Sequence, residues 1–404
     1  MTAPLFAFCA DLQARESAYR SVKELQGDDL YALQQVVEYC KDDSIPLILG
    51  GDQVDTPTIS DEHTVKLRKL LQGVIQNEVF YVDGNHERGF KRFCLEGGSA
   101  AVAQNLEDRG TVGMYTNPTV KGPTVIKRRK SMQFYRDSDL RATSPLFEIA
   151  GYNWRTRRQW ESYLESQPLV KADILILHGF ASQVVPYLGL PPDEAPLCDL
   201  DLNWFDGKYK LVLMGDIHME WEWTGPKGTR FMYSGSMWMH RLGEPEDKSF
   251  IVVYDDLSTE RIPLKCRPFK RLKVSSEEDI KNLKKWLDKE CKNTYPEDMV
   301  QLLGQVKPRI HLTIPSELSK KAASAIELMK EKAFVFEKID TSHDTDLSEN
   351  EGSVDEQVDM DTALVQVLGQ EDQLCVEAAE FIKQTLALGF DTAIDNLKKK
   401  MELS

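Results

Sequence analysis

The chain has 404 residues, enough for two or three domains, with 65 acidic against 50 basic side chains and a formal net charge of −15. No run approaches the apolar length of a membrane span, Met1-Thr2-Ala3-Pro4 lacks the basic-then-apolar form of a secretion signal, and the 7 cysteines are scattered without a C-x-x-C pair. The expectation is a soluble protein without a membrane partner, its thiols reduced in a cytoplasm, or in the host cytoplasm for a viral chain.

In chain order, short apolar runs of strand type repeatedly end in metal-binding side chains. Leu5 to Cys9 leads into Asp11-Leu12-Gln13, Pro46 to Leu49 into Gly51-Asp52-Gln53-Val54-Asp55, and Val79 to Val82 into Gly84-Asn85-His86-Glu87. Ile174 to Leu177 leads into His178-Gly179, and Leu211 to Met214 into Gly215-Asp216-Ile217-His218. Between them, Asp29 to Lys41 places Leu30, Leu33, Val36, Val37 and Cys40 on one helical face, and His63 to Gln76 does so with Val65, Leu67, Leu70, Leu71, Val74 and Ile75. Arg230 to Ser234, Phe250 to Tyr254 and Glu260 to Leu264 read as strands, expected to complete a second packed sheet against the first.

Near Cys266 a new unit begins. Lys270 to Val274, Arg309 to Ile314 and Phe334 to Ile339 read as strands, Glu277 to Cys291 and Ser316 to Lys332 as helices, which suggests a small α+β domain. From Asp340 to Asp361 the chain is acidic, without Lys or Arg, and reads as a flexible linker. The tail turns helical again, with Leu374, Ala378, Phe381, Ile382 and Leu386 on one face, a break at Gly389, then Ile394, Leu397 and Met401. That face docks either on the protein's own core or on a partner. The expected division is 1–265, 266–340, 341–361 and 362–404.

Strand ends on one edge of a sheet hold side chains rigidly and can aim several at one point. Two divalent cations about 3.5–4 Å apart can clamp a phosphoester and neutralise charge on its attacking and leaving oxygens. Asp52, after a glycine pair, is the candidate bridging ligand. Asn85 would add an amide oxygen, and His178 and His218 imidazole nitrogens, a mixture suited to Mn²⁺, Fe²⁺ or Zn²⁺. His86 follows a ligand directly and can face a phosphate and protonate a departing oxygen, the alternative being a buried, hydrogen-bonded histidine. Asp55 and Glu87 are expected to accept ring N–H groups of the histidine ligands. For the remaining histidines, His63, His240, His311 and His343, the default is a structural or solvent-exposed role, with His240, a few residues after the Ser-Gly-Ser turn, placed to approach a substrate.

The order D-x-Q, GDxxD, GNHE, HG, GDxH resembles the calcineurin-like metallophosphoesterase superfamily over about the first two thirds of the chain. Tyr233-Ser234-Gly235-Ser236, then Gly243-Glu244 and Lys248 to Tyr254, is similar to the stretch after the last metal motif in SbcD-type nucleases. The resemblance implies an α/β fold: a two-sheet sandwich flanked by helices, then a small α+β capping domain and a helical C-terminal tail. It implies a DNA phosphodiesterase, exonuclease on ends and endonuclease on single strands, acting with an SbcC-like SMC-family ATPase gripped by the tail, and a homodimer. By the same resemblance one metal would be held by Asp11, Gln13, Asp52 and His218, the other by Asp52, Asn85, His178 and Asp216, with His86 catalytic.

Two positions depart from the family pattern, which has histidine where Gln13 and Asp216 stand. If both bind, the site is harder, with three carboxylates, and prefers Mn²⁺ with Mg²⁺ possible. Otherwise Gln13 is a turn residue. The acidic balance argues against a nucleic-acid ligand, but basic residues cluster at Lys127, Arg128, Arg129 and Lys130 and at Arg155, Arg157 and Arg158, the latter interleaved with Trp154 and Trp160. Those are the candidate DNA contacts, solvated surface turns being the alternative. Competing functional readings are a phosphomonoesterase or cyclic-nucleotide phosphodiesterase, and a scaffold whose metal site has decayed.

Overall fold

The computed structural model describes residues 2–15, 26–55, 59–74, 78–87, 103–114, 124–128, 132–136, 147–189, 198–240, 244, 247–304 and 306–340. Arg129, Lys130, His343, residues 341–361 and the tail expected to be helical lie outside them. No helix among the described residues is long and apolar enough to cross a membrane.

Two sheets carry the first 265 residues. In one, β1 (Pro4–Cys9), β2 (Leu47–Leu49), β3 (Val79–Tyr81) and β4 (Gln104–Asn105) are parallel neighbours, and β13 (Lys248–Tyr254) and β14 (Thr259–Leu264) continue antiparallel from β1. In the other, β12 (Arg230–Tyr233), β10 (Leu211–Gly215), β9 (Ile174–His178) and β8 (Phe147–Gly151) are parallel. That sheet is extended by β11 (Trp221–Thr224) at one edge and by β5 (Val112–Met114), β7 (Met132–Arg136) and β6 (Thr124–Arg128) at the other. The three late strands are therefore divided. Arg230 to Ser234 joins the second sheet as expected, but β13 and β14 pair onto β1 and complete the first.

Alternation along β1 decides which sheet face goes where. Phe6 and Phe8, with Ile48 and Phe80 of β2 and β3, meet Ile174, Ile176, Leu211 and Leu213 of the facing sheet. Ala7 and Cys9 point the other way, where Leu47, Leu49 and Tyr81 receive Leu30, Leu33, Val36 and Cys40 of α1 (Asp28–Asp43) and Leu67 and Leu71 of α2 (Asp61–Gln72). Helix α2 starts where the Ser60 side chain accepts the His63 N–H. It buries His63, Leu67 and Leu71, a stripe every fourth residue that leaves Val65 exposed, contrary to the expected face. A short helix α3 (Leu106–Arg109) follows β4, and α4 (Arg157–Ser166), opened by a Thr156/Gln159 capping box, covers the outer face of the second sheet with the fully buried Trp160. These two sheets with helices outside make the expected α/β sandwich.

Beyond Cys266, β15 (Phe269–Lys273), β16 (Arg309–Pro315) and β17 (Phe334–Asp340) form a three-stranded parallel sheet. Helix α5 (Glu277–Glu290), capped by Ser276, and α7 (Ser316–Lys330) bury Ile280, Leu283, Leu287, Ile326 and Met329 against Ile310, Leu312 and Ile314. Helix α6 (Glu297–Leu303) lies where no helix was expected and packs Met299 and Leu303 on Tyr31 of α1.

Candidate metal centre

Each parallel strand that was expected to end in a metal-binding side chain does so. Asp11 follows β1, Asp52 follows β2 and Asn85 follows β3 in one sheet; His178 closes β9, and Asp216 and His218 follow β10 in the other. Residues Gly215 and His178 are register partners, so both strands of the second sheet finish at the same level. Asp11, Asp52 and His178, all buried, bring one ligand atom each within 4.8 Å of one another.

The turns that follow the strands are strained where the candidate ligands sit. Asp11, Gln13, Asp52 and Asp216 have φ of 52°, 40°, 52° and 102°, a region that non-glycine residues rarely occupy. Neighbours hold them there. The Asp216 N–H donates to both oxygens of Asp11 (2.9 and 3.0 Å), the His86 N–H donates to Asp52 Oδ1 (3.0 Å), and Gln13 Nε2 donates to Asp52 Oδ2 (3.3 Å). At Gly84 a methyl group would collide with the Asp52 carboxylate and at Gly51, itself at φ 98°, with the His178 ring, so bare backbone is required at both.

The histidines are oriented for coordination. His178 Nδ1 lies 2.8 Å from the Gly50 carbonyl, which leaves Nε2 facing Asp52 Oδ1 (3.3 Å), the Asn85 amide (3.2 Å) and Asp216 Oδ1 (3.7 Å). His218 Nδ1 lies 2.6 Å from Glu244 Oε1, freeing its Nε2 in the same way. The Asn85 side-chain oxygen lies 3.2 Å from His178 Nε2, on the side where a cation would sit; turned over, the amide would instead donate to both Asp52 oxygens (3.0 and 3.1 Å). His86 is half-buried; its Nδ1 is 2.6 Å from the Asp55 carbonyl and its Nε2 is 3.7 Å from Asp52 Oδ2.

Crowding three carboxylates shifts their protonation. Burial, reinforced by Asp52 and Asp216 against the pull of His178 and His218, pushes Asp11 up to about 7, and burial pushes Asp216 up to about 6. Burial also acts to raise Asp52, but the charges and hydrogen bonds of His178 and His86 outweigh it and bring the group down to about 2. Burial works against a charged His178, yet Asp52, Asp11 and Asp216 hold its pKa well above the usual imidazole value. Converging carboxylate and imidazole groups form a donor set that fits divalent cations.

Several expectations need correction. Glu87, buried and pushed up to about 8 by burial and then by Asp52, accepts the N–H groups of Asp52 (3.0 Å), Val54 (3.2 Å) and Gly84 (2.6 Å), so it braces the turns rather than a histidine ring. Asp55 pairs with Arg15 (3.3 Å) and serves His86 through its backbone carbonyl. Arg155 is not a free surface cation. It pairs with Glu107 and lies over the rings of Tyr152, Trp160 and Tyr163, where burial of Trp160 ties it to the core. Arg157 pairs with Glu161 and lies over Trp204, and Arg158 is exposed on α4. Lys127 and Arg128 fall in β6, at the far edge of the second sheet, opposite the edge formed by β11.

Sequence reasoning gave Glu244 no role, yet it organises the rear of the site. Besides His218, its carboxylate accepts from Lys248 Nζ (2.9 Å), Ser236 Oγ (3.1 Å) and the His240 N–H (3.0 Å), interactions that outweigh burial and hold its pKa well below the usual carboxylate range. His240, buried, places Nε2 3.0 Å from the Asp11 carbonyl. The Glu-x₃-Lys spacing after a Ser-Gly-Ser turn was the available signal.

The family model for calcineurin-like phosphoesterases matches residues 4–230. Among solved structures, the chain is similar to a dimetal phosphatase from Danio rerio, at 13% identity over 65% of this chain and 100% of the other, with a TM-score of 0.31. It is also similar to the purple acid phosphatase PPD1 from yellow lupin (Lupinus luteus) seeds, at 14% identity over 63% of this chain and 49% of the other, with a TM-score of 0.30. No curated protein matches the sequence.

Proposed function

Since the chain belongs to the calcineurin-like phosphoesterase family, whose chemistry is metal-dependent phosphoester hydrolysis, we propose that its substrate is a DNA phosphodiester and that it is the nuclease subunit of an SbcD-type complex. The observation that carries this reading is the place of the resembling segment: Ser236, Glu244 and Lys248, on which the likeness to SbcD-type nucleases rests, are built into the site behind His218.

In this reading Asp11, Gln13, Asp52 and His218 hold one divalent cation and Asp52, Asn85, His178 and Asp216 the other, Mn²⁺ being preferred and Mg²⁺ accepted. When bound, the pair supplies Lewis-acid charge to the phosphate and lowers the pKa of a water. The chain's own residues do the rest. Glu244 and the Gly50 carbonyl keep both histidine ligands in the tautomer that presents Nε2. The Asp55 carbonyl holds Nδ1–H of His86, so the imidazolium form carries its second proton on Nε2, which faces the phosphate and would pass that proton to the departing oxygen, leaving the neutral ring. The unit 266–340 takes the role of a capping domain, residues 341–361 that of a linker, and 362–404 that of the segment that binds an SbcC-like ATPase; the working form is a homodimer. Arg157, Arg158, Lys127, Arg128, Arg129 and Lys130 remain the candidate DNA contacts.

The test is a time course on end-labelled duplex and single-stranded DNA with Mn²⁺, Mg²⁺ or chelator, with Asp52→Ala as control. Metal-dependent cleavage lost in the control is the expected result. Turnover confined to a nucleotide monoester, with DNA untouched by the protein alone and with its ATPase, would overturn the nuclease reading.

A further inference from the structure

The three-stranded unit reaches the metal centre through main-chain carbonyls. Arg309, the first residue of β16, is buried with its guanidinium 5.8 and 5.7 Å from the ring centroids of Phe269 and Phe336. Its Nη1 donates to the Met239 carbonyl (3.1 Å) and its Nε to His311 Nε2 (2.8 Å). Burial and the nearby Arg15 push it down to about 9, so it stays cationic at neutral pH. From the adjacent strand, Arg271 donates to the Glu244 carbonyl (3.2 Å).

Glu244, and the two residues that flank the gripped Met239 carbonyl, hold candidate ligands. Trp238 Nε1 donates to the Leu12 carbonyl (2.6 Å), His240 Nε2 reaches the Asp11 carbonyl (3.0 Å), and Glu244 carries His218. The turn so braced contains Asp11 and Gln13, whose positive φ makes it costly to maintain without outside support.

We infer that Arg309 is a positioning residue for the metal centre: by fixing the Met239 carbonyl it holds Trp238 and His240 against the Asp11–Gln13 turn, coupling the three-stranded unit to metal affinity. A planar guanidinium between two rings presents its donors in one fixed direction, which a lysine in the same slot does less well. The inference rests on the proposed reading of the site as a two-cation centre.

Mn²⁺ binding by calorimetry on the full chain, beside melting of the chelated protein, tests it. Arg309→Met fills the slot without a donor and should bind Mn²⁺ about tenfold more weakly or worse, the loss typical of residues that orient ligands; Arg309→Lys should recover part of that. Wild-type affinity in Arg309→Met, even with a lowered melting temperature, overturns the inference and identifies a purely structural arginine. Should Arg309→Met fail to fold, Trp238→Phe removes the donor to Leu12 together with part of the ring that packs on Arg15 and His240, and unchanged affinity there overturns the inference equally. A wild-type protein that binds no Mn²⁺ overturns the two-cation reading itself, a result distinguishable from the other two.

Discussion

Glu244→Gln keeps the shape of a side chain while removing its charge, and the groups around it set the cost. Lys248 lies 2.9 Å from Glu244 with only 2% of its side chain exposed, against 7% for the glutamate. With an amide in place of the carboxylate it becomes an uncompensated buried cation, which costs about 3–5 kcal/mol. The amide also brings one acceptor oxygen to four donors, the groups of His218, Ser236, His240 and Lys248. His218 then loses the partner that fixes its tautomer, and metal affinity should fall about 10–100-fold. Urea unfolding in chelator reads the first effect and Mn²⁺ calorimetry the second. Adding Lys248→Met should restore much of the stability and little of the affinity, because the buried cation is gone but His218 still lacks a carboxylate. A Glu244→Gln protein as stable as the wild type in chelator, with unaltered Mn²⁺ binding, would refute the reasoning.

His86→Ala should leave Mn²⁺ binding within a factor of about two of wild type but lower kcat by about 10²–10⁴, the usual weight of a proton donor; normal turnover would remove it from the mechanism. Asp11 at about 7 and Asp216 at about 6 lie above the ordinary 3.8, so between those values the folded metal-free chain binds more protons than the unfolded one. Its stability should therefore fall as pH rises from about 4 to 7, and the rise in melting temperature on adding Mn²⁺ should grow over the same window; melts with chelator and with Mn²⁺ at several pH values check both slopes. Arg155→Ala should destabilise the fold by about 1–2 kcal/mol through lost stacking and pairing yet leave the salt dependence of DNA binding unchanged, and a shallower slope would restore it as a phosphate contact.

The centre was legible because its chemistry is local to the chain. Each candidate ligand closes a strand or stands in the turn just after one, the apolar runs are unmistakable, and strand type with its end can be read from a few residues. Elements of the last unit were legible for the same reason, the strand from Arg309 to Ile314 lying within β16. What escaped was pairing at a distance. Arg230 to Ser234 and Phe250 to Tyr254 both read as strands, and nothing in either segment says which sheet it joins. Arg155 reads as a surface cation until Tyr152, Trp160 and Tyr163 are seen beneath it. Glu244 stands in a segment that resembles a family pattern, but its contact with His218 spans two loops that only the fold brings together.

That the candidate ligands come from both sheets has a consequence for biosynthesis. Asp11, Asp52 and Asn85 leave the ribosome early, but the candidate histidine ligands His178 and His218 join them only when β9 and β10 emerge and seat themselves against the first sheet. The first sheet is itself unfinished until β13 pairs with β1, and the loop before β13 supplies Glu244. Ion uptake at the candidate site would therefore come after most of the sandwich has been translated, and a half-made chain would lack the set of residues proposed to carry out hydrolysis.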